Sequence, residues 1–200
     1  MSRPRPGRRT FLAGGLAALA TPALVRRAEA QDFVGEIEDT APAGARVRHN
    51  VMSFRTIDWR DHFSNLRLGA IVCDTQSRAL HYWAEDQSVY RLYPSSAPMT
   101  EDFTRRGYTT IVLKRRDPVW IPTPGMRERQ PYLPERVESG PDNPLGTRAL
   151  NLGWQYYRIH GIDDVRKIGR RASNGCIGLF NHHVEELFEM VHIGTQVRVI

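Results

Sequence analysis

The chain is poor in cysteine, in long apolar runs and, outside its first thirty residues, in excess charge of either sign. Two cysteines in 200 residues exclude a disulfide scaffold and a Cys-rich zinc module. The net charge of +6 would suit a nucleic-acid binder if it were spread over a folded face, but six arginines against Glu29 place +5 of it in residues 1–30. The rest is nearly neutral, so the electrostatic footprint of a nucleic-acid partner is missing. The apolar run of residues 10–25 is broken at Thr21-Pro22 and falls short of the roughly 20 residues that span a bilayer, so no permanent membrane anchor is expected.

What stands at the front instead has the pattern of an export signal. A basic stretch to Arg9, an Ala/Leu/Gly-rich stretch and Ala28-Glu29-Ala30 before Gln31 set residues 1–30 apart as a signal peptide. Arg8-Arg9-Thr10-Phe11-Leu12 resembles the twin-arginine signal, which places the mature chain in the periplasm or cell envelope. Residues 31–65 are polar and weakly patterned, and read as a leader that packs on the following domain.

From residue 66 the pattern changes to short β-rich runs at 68–73, 79–83, 89–93, 108–113, 119–121 and 155–159, the spacing of an all-β sandwich or barrel. Seven prolines between Pro118 and Pro144 exclude a central strand there and mark a long loop region, which in a compact domain tends to carry function. One helix is clear near the end: Asn181 is placed to cap it, and Val184, Leu187, Phe188 and Val191 fall at i, i+3, i+4 and i+7. After Gly194 strand period returns in 196–200, where a final strand is expected to close the sheet.

Chemistry concentrates in Ser173-Asn174-Gly175-Cys176-Ile177. A cysteine directly after glycine on a turn suits a nucleophile, because the backbone can approach a substrate and its amides can face a developing oxyanion. His160, at the end of a strand-like run and followed by Gly161, is the natural base for its thiol. On spacing alone, a small buried cysteine and an unrelated histidine remain open. A zinc site from Cys176, His160, His182 and His183 is disfavoured, because adjacent histidines at a helix start point in different directions. No metal or organic cofactor is expected.

His160-Gly161, Ser173-x-Gly175-Cys176-Ile177 and Asn181 together resemble the signature of the YkuD-type L,D-transpeptidases. Residues 143–150 and 194–197 resemble flanking family segments, so the similarity spans residues 66–200 as one catalytic domain. The resemblance implies a mainly β, YkuD-like β-sandwich acting on peptidoglycan stem peptides in cell-wall biogenesis. Cys176 would attack the carbonyl of the third stem residue and expel D-alanine, and His160 would carry the proton. Gly175, Ser173, Asn174 and Gly161 would form the oxyanion and substrate-binding surroundings. The acyl group would pass to a stem-peptide amine, giving a 3–3 crosslink, or to an amine on an envelope protein. With water as acceptor the enzyme would be an L,D-carboxypeptidase.

The sequence departs from the family where arginine usually stands two residues after the cysteine: here the residue is Gly178, and Ile162 replaces a small hydroxyl residue after His-Gly. Losing the guanidinium removes a rigid carboxylate-binding fork, which raises the alternative of a catalytically weak peptide-binding protein. Arg158, Arg170 and Arg171 are the available substitutes, and Gly178→Arg is expected to raise turnover if the missing group limits it. Cys73, in the apolar run 70–73, is expected to be buried and inert.

Overall fold

A computed structural model describes residues 55–200. The signal peptide and most of the leader read from the sequence lie outside the described residues.

The apolar runs form nine strands: β1 (Ala70–Asp74), β2 (Ala79–Trp83), β3 (Tyr90–Pro98), β4 (Gly107–Arg116), β5 (Arg148–Leu152), β6 (Arg158–His160), β7 (Arg171–Ser173), β8 (Ile177–Leu179) and β9 (Gln196–Val199). Their order is β2-β1-β9-β4-β5-β6-β8-β3-β7, and β2 also pairs with β3. Two long strands turn the corners. Residues 107–110 of β4 pair with β9 and residues 111–116 with β5, with a bulge between Ile111 and Leu113. Residues 90–94 of β3 pair with β2, and Ser95 and Ser96 pair with β8. A bulge, and Pro94 at the second bend, are the devices that let one strand serve two sheets. The result is the expected β-sandwich, closed along both edges.

Alternation along the strands sends one face inward. Ile71, Leu80, Ile111, Leu150, Ile159, Ile177 and Val197 meet Val184, Leu187 and Phe188 of α2 (Asn181–Met190) in one core. Each such fully buried aliphatic side chain contributes about 1.5–3 kcal/mol of transfer free energy. The helix is therefore held by the stripe read from the sequence, and Val191 just past its end is also fully buried. β1 is buried on both faces, because Phe63 and Leu66, with Ile57 and Trp59, cover Ala70, Val72 and Trp83 from outside.

Several expectations are corrected. Asn181 is the first helical residue, not the cap; Phe180 holds the cap position and donates no side-chain bond. The final strand does not close the sheet. β9 lies in its middle, parallel to β1 and antiparallel to β4, and closure falls to β2–β3. Residues 119–121 form no strand, only a bridge between Trp120 and Val137, because Pro118 and Pro122 flank them and withhold amide donors. The run 155–159 shortens to Arg158–His160, since Tyr157 closes a turn onto the Trp154 carbonyl and Tyr156 adopts φ +68°. The Pro-rich stretch is irregular apart from α1 (Pro124–Arg129), whose first amides are capped by the Thr123 hydroxyl.

Candidate active site

β6 and β8 run side by side in parallel, with Ile159 opposite Ile177 and His160 opposite Gly178. Residues paired in a ladder share a face, and faces alternate along a strand. With both isoleucines committed to the core, Arg158 and His160 on β6 and Cys176 and Gly178 on the neighbouring strand turn to the other side. Asn151 and Ala149 of β5, paired with Arg158 and His160, extend that surface. It is the floor of a cleft of about 400 Å³ lined by Cys176, His160, Arg158 and Ser173. Trp120, Met126 and Arg129 from the Pro-rich region wall one side, and Tyr156 and Tyr157 wall another.

His160 is buried, and its Nδ1 donates to the Gly161 carbonyl. A carbonyl only accepts, so the proton sits on Nδ1 and Nε2 is the basic nitrogen. Burial lowers the His160 pKa to about 4, so the ring is neutral at pH 7. Cys176 is partly exposed, and its Sγ donates to the Tyr156 carbonyl at 3.3 Å. Desolvation raises its thiol, while the neighbouring Arg158 works in the opposite direction. The thiol and the imidazole that line the cleft are therefore both neutral at rest.

The loop that presents Cys176 is fixed by its own residues. Ser173 Oγ donates to the Cys176 carbonyl at 2.5 Å and lies 3.4 Å from the Gly175 amide. Gly175 has φ +123°, and a Cβ there would press on the Tyr157 ring at 3.3 Å and the Phe103 carbonyl at 3.4 Å, so the turn requires glycine. Asn174 is exposed and accepts a bond from Arg129 at 3.0 Å. It ties the Cys176 loop to α1. Gly161 supplies the carbonyl that orients His160.

Other residues hold the site in ways that their sequence positions do not announce. Asn181 accepts from the Thr147 and Ile162 amides at 3.3 and 3.1 Å and donates to the Ile162 carbonyl at 3.2 Å. It clamps Ile162, directly after His160-Gly161, to the turn at Thr147, and Gly146 and Gly161 leave the room its carbonyl oxygen occupies. Tyr156 aims its carbonyl at the thiol from a left-handed backbone conformation, which no local pattern announces. Of the three arginines weighed as substitutes, Arg158 lines the cleft; Arg171 pairs with Glu101 at 2.8 Å.

A Cβ at Gly178 would lie 2.5 Å from Ser96 Oγ and 3.0 Å from Ile162 Cδ1, so a side chain fits here only if both neighbours shift. The two family departures are thus one packing solution, Ile162 filling the space beside Gly178. Gly178→Arg would have to displace both Ser96 and Ile162, which sets a packing cost against the expected gain in turnover. Cys73 is fully buried on the inner face, and both cysteines are free. His182 and His183 do not line the cleft: their rings lie 4.1 Å apart and pack with Phe180 and Tyr93. His183 is half-buried rather than solvated.

Fold and cleft define a closed β-sandwich that presents the Cys176 thiol, just before β8, and the His160 imidazole, at the end of β6, in one cleft. The chain belongs to the YkuD family: the family model described as the L,D-transpeptidase catalytic domain matches residues 69–199. An L,D-transpeptidase homologue from the ATP synthase subunits region (ORF 5) of Fuscovulum blasticum is 48% identical over 193 residues, covering 96% of this chain and 97% of that protein. The L,D-transpeptidase homologue ErfK/SrfK of Escherichia coli K12 is 36% identical over 135 residues, 65% of this chain. The chain spans only 43% of that relative's length. The solved L,D-transpeptidase 3 of Mycobacterium tuberculosis shares the fold with a TM-score of 0.53 at 17% identity, covering 66% of this chain and 61% of that one. Among the described residues no helix is long and apolar enough to cross a membrane, and no group of three His, Cys, Asp or Glu could hold a metal ion.

Proposed function

We propose that the chain is a cysteine-dependent L,D-transpeptidase of the cell envelope, exported by its twin-arginine-like signal and acting on peptidoglycan stem peptides. The observation that supports the reading is that Cys176, directly before β8, and His160, on the paired strand β6, line one cleft, and that His160 keeps Nε2 free to act as a base.

As Sγ attacks the carbonyl carbon of the third stem residue, its proton passes to His160 Nε2. The carbonyl oxygen gains charge opposite the amides of Gly175 and Cys176. The C–N bond to D-alanine then breaks, Nε2 returns the proton to the leaving amine, and a thioester remains on Cys176. An acceptor amine attacks that thioester, gives up a proton to Nε2, and Sγ leaves as the thiol. A stem-peptide amine yields a 3–3 crosslink and a protein amine yields an attached protein. Water yields the shortened tripeptide of an L,D-carboxypeptidase.

Incubation of the mature chain with disaccharide-tetrapeptide, followed by mass spectrometry, tests the reading. D-alanine release with crosslinked dimer is expected. Tripeptide without dimer would assign the carboxypeptidase activity, and absence of any product would leave only a peptide-binding protein.

A further inference from the structure

The cleft is cationic although the mature chain is nearly neutral. Its lining includes Arg129, Arg158 and Lys167 and contains no aspartate or glutamate. An adjoining cavity of about 320 Å³ continues along the same sheet face, lined by Arg115, Arg136, Arg158 and Asn151, again without a carboxylate. Most of these cations are engaged: Arg136 pairs with Glu138 at 2.5 Å, Lys167 with Asp163 at 2.8 Å, and Arg129 bonds Asn174 and stacks on Phe103. Arg158 forms no ion pair among the described residues, and it is common to both cavities. Beside it the Asn151 carbonyl oxygen is buried with no partner, ready to accept a bond from a guanidinium or a ligand amide. Ladder pairing puts Asn151 directly opposite Arg158, and Arg158 on the same face as Cys176.

No guanidinium stands two residues beyond Cys176, and Ser96 and Ile162 crowd the space one would enter. One strand over, Arg158 brings a guanidinium to that same face. We propose that Arg158 is the carboxylate anchor of this cleft, holding a carboxylate of the donor peptide beside Cys176 in place of the cation that Gly178 lacks. The proposal rests on the acyl-transfer reading for the identity of the donor. A planar five-donor fork with no aspartate or glutamate in the cavity lining beside it is the group best suited to bidentate carboxylate binding.

Binding is best read without turnover, by calorimetry on the mature chain carrying Cys176→Ala. Three tetrapeptide donors are compared: free acid, amidated at the terminal D-alanine, and amidated at the carboxylate of the third-residue diamino acid. Adding Arg158→Gln is expected to weaken free-acid binding about 10- to 100-fold, with Arg158→Lys recovering part of it. The donor amidated at the anchored carboxylate should bind weakly in both backgrounds and show less than twofold dependence on residue 158. That pattern identifies which carboxylate is held. Equal losses for all three donors, as a structural defect would produce, or no loss for any, would overturn the anchor. Failure of the chain with Cys176 intact to release D-alanine would count against the acyl-transfer reading alone, because the binding comparison does not depend on it.

Discussion

Cys73 and Cys176 have the same side chain and opposite surroundings. Burial in β1, with Asp74 adjacent, pushes the Cys73 thiol far above its ordinary range and leaves it a small hydrophobe. Cys176 feels desolvation as well, but Arg158 opposes it and the cleft admits a substrate. Gly178 is the residue on which the steric account is sharpest. Gly178→Arg is expected to lower stability by at least about 2 kcal/mol through overpacking against Ser96 and Ile162. A melting temperature equal to wild type, with raised turnover, would show that the space exists after all.

At the level of elements, the site depends on three backbone segments being held in register: the end of β6, the loop before β8 and the turn at Gly146-Thr147. Asn181 joins the first and third through three hydrogen bonds. Asn181→Ala leaves those backbone groups without partners and is expected to cost about 3 kcal/mol. The amides of Thr147 and Ile162 should lose hydrogen-exchange protection while those of β1 keep theirs; unchanged protection would contradict the clamp. The elements also show what was legible beforehand. The helix stripe, the strand at 79–83 and the Pro-rich loop could be read because each rests on local periodicity or on proline chemistry. That Cys176 and His160 would line one cleft was legible through their residue types and the resemblance of their spacing. The β6–β8 register, the turn at Tyr156 and the clamp by Asn181 were not, because they depend on partners distant in the chain. Arg158 could be suspected by its charge, but only the ladder puts it on the cleft face.

For the whole molecule, two buried imidazoles link stability to pH. His160 and His81 each titrate near 4 in the folded state because burial disfavours their charged forms, against an ordinary value of 6.5. Between those limits the unfolded chain binds more protons than the folded one, so stability falls as pH drops from about 6.5 to about 4. The loss amounts to about 3 kcal/mol for each ring at the bottom of that window. Below it the loss passes to Glu101 and Asp164, whose carboxyls are held near 2 by hydrogen bonds from arginines. Denaturant midpoints should therefore decline steadily between pH 6.5 and 4; midpoints that stay level across that interval would mean that neither ring is held neutral.

The measurement that bears most directly on Cys176 as nucleophile is intact-protein and peptide mass spectrometry of the chain quenched during turnover of disaccharide-tetrapeptide. The expected result is a thioester-linked disaccharide-tripeptide on the peptide containing Cys176, absent from Cys176→Ala and accumulating far more slowly in His160→Ala. An adduct on Cys73, or D-alanine release undiminished in Cys176→Ala, would contradict it.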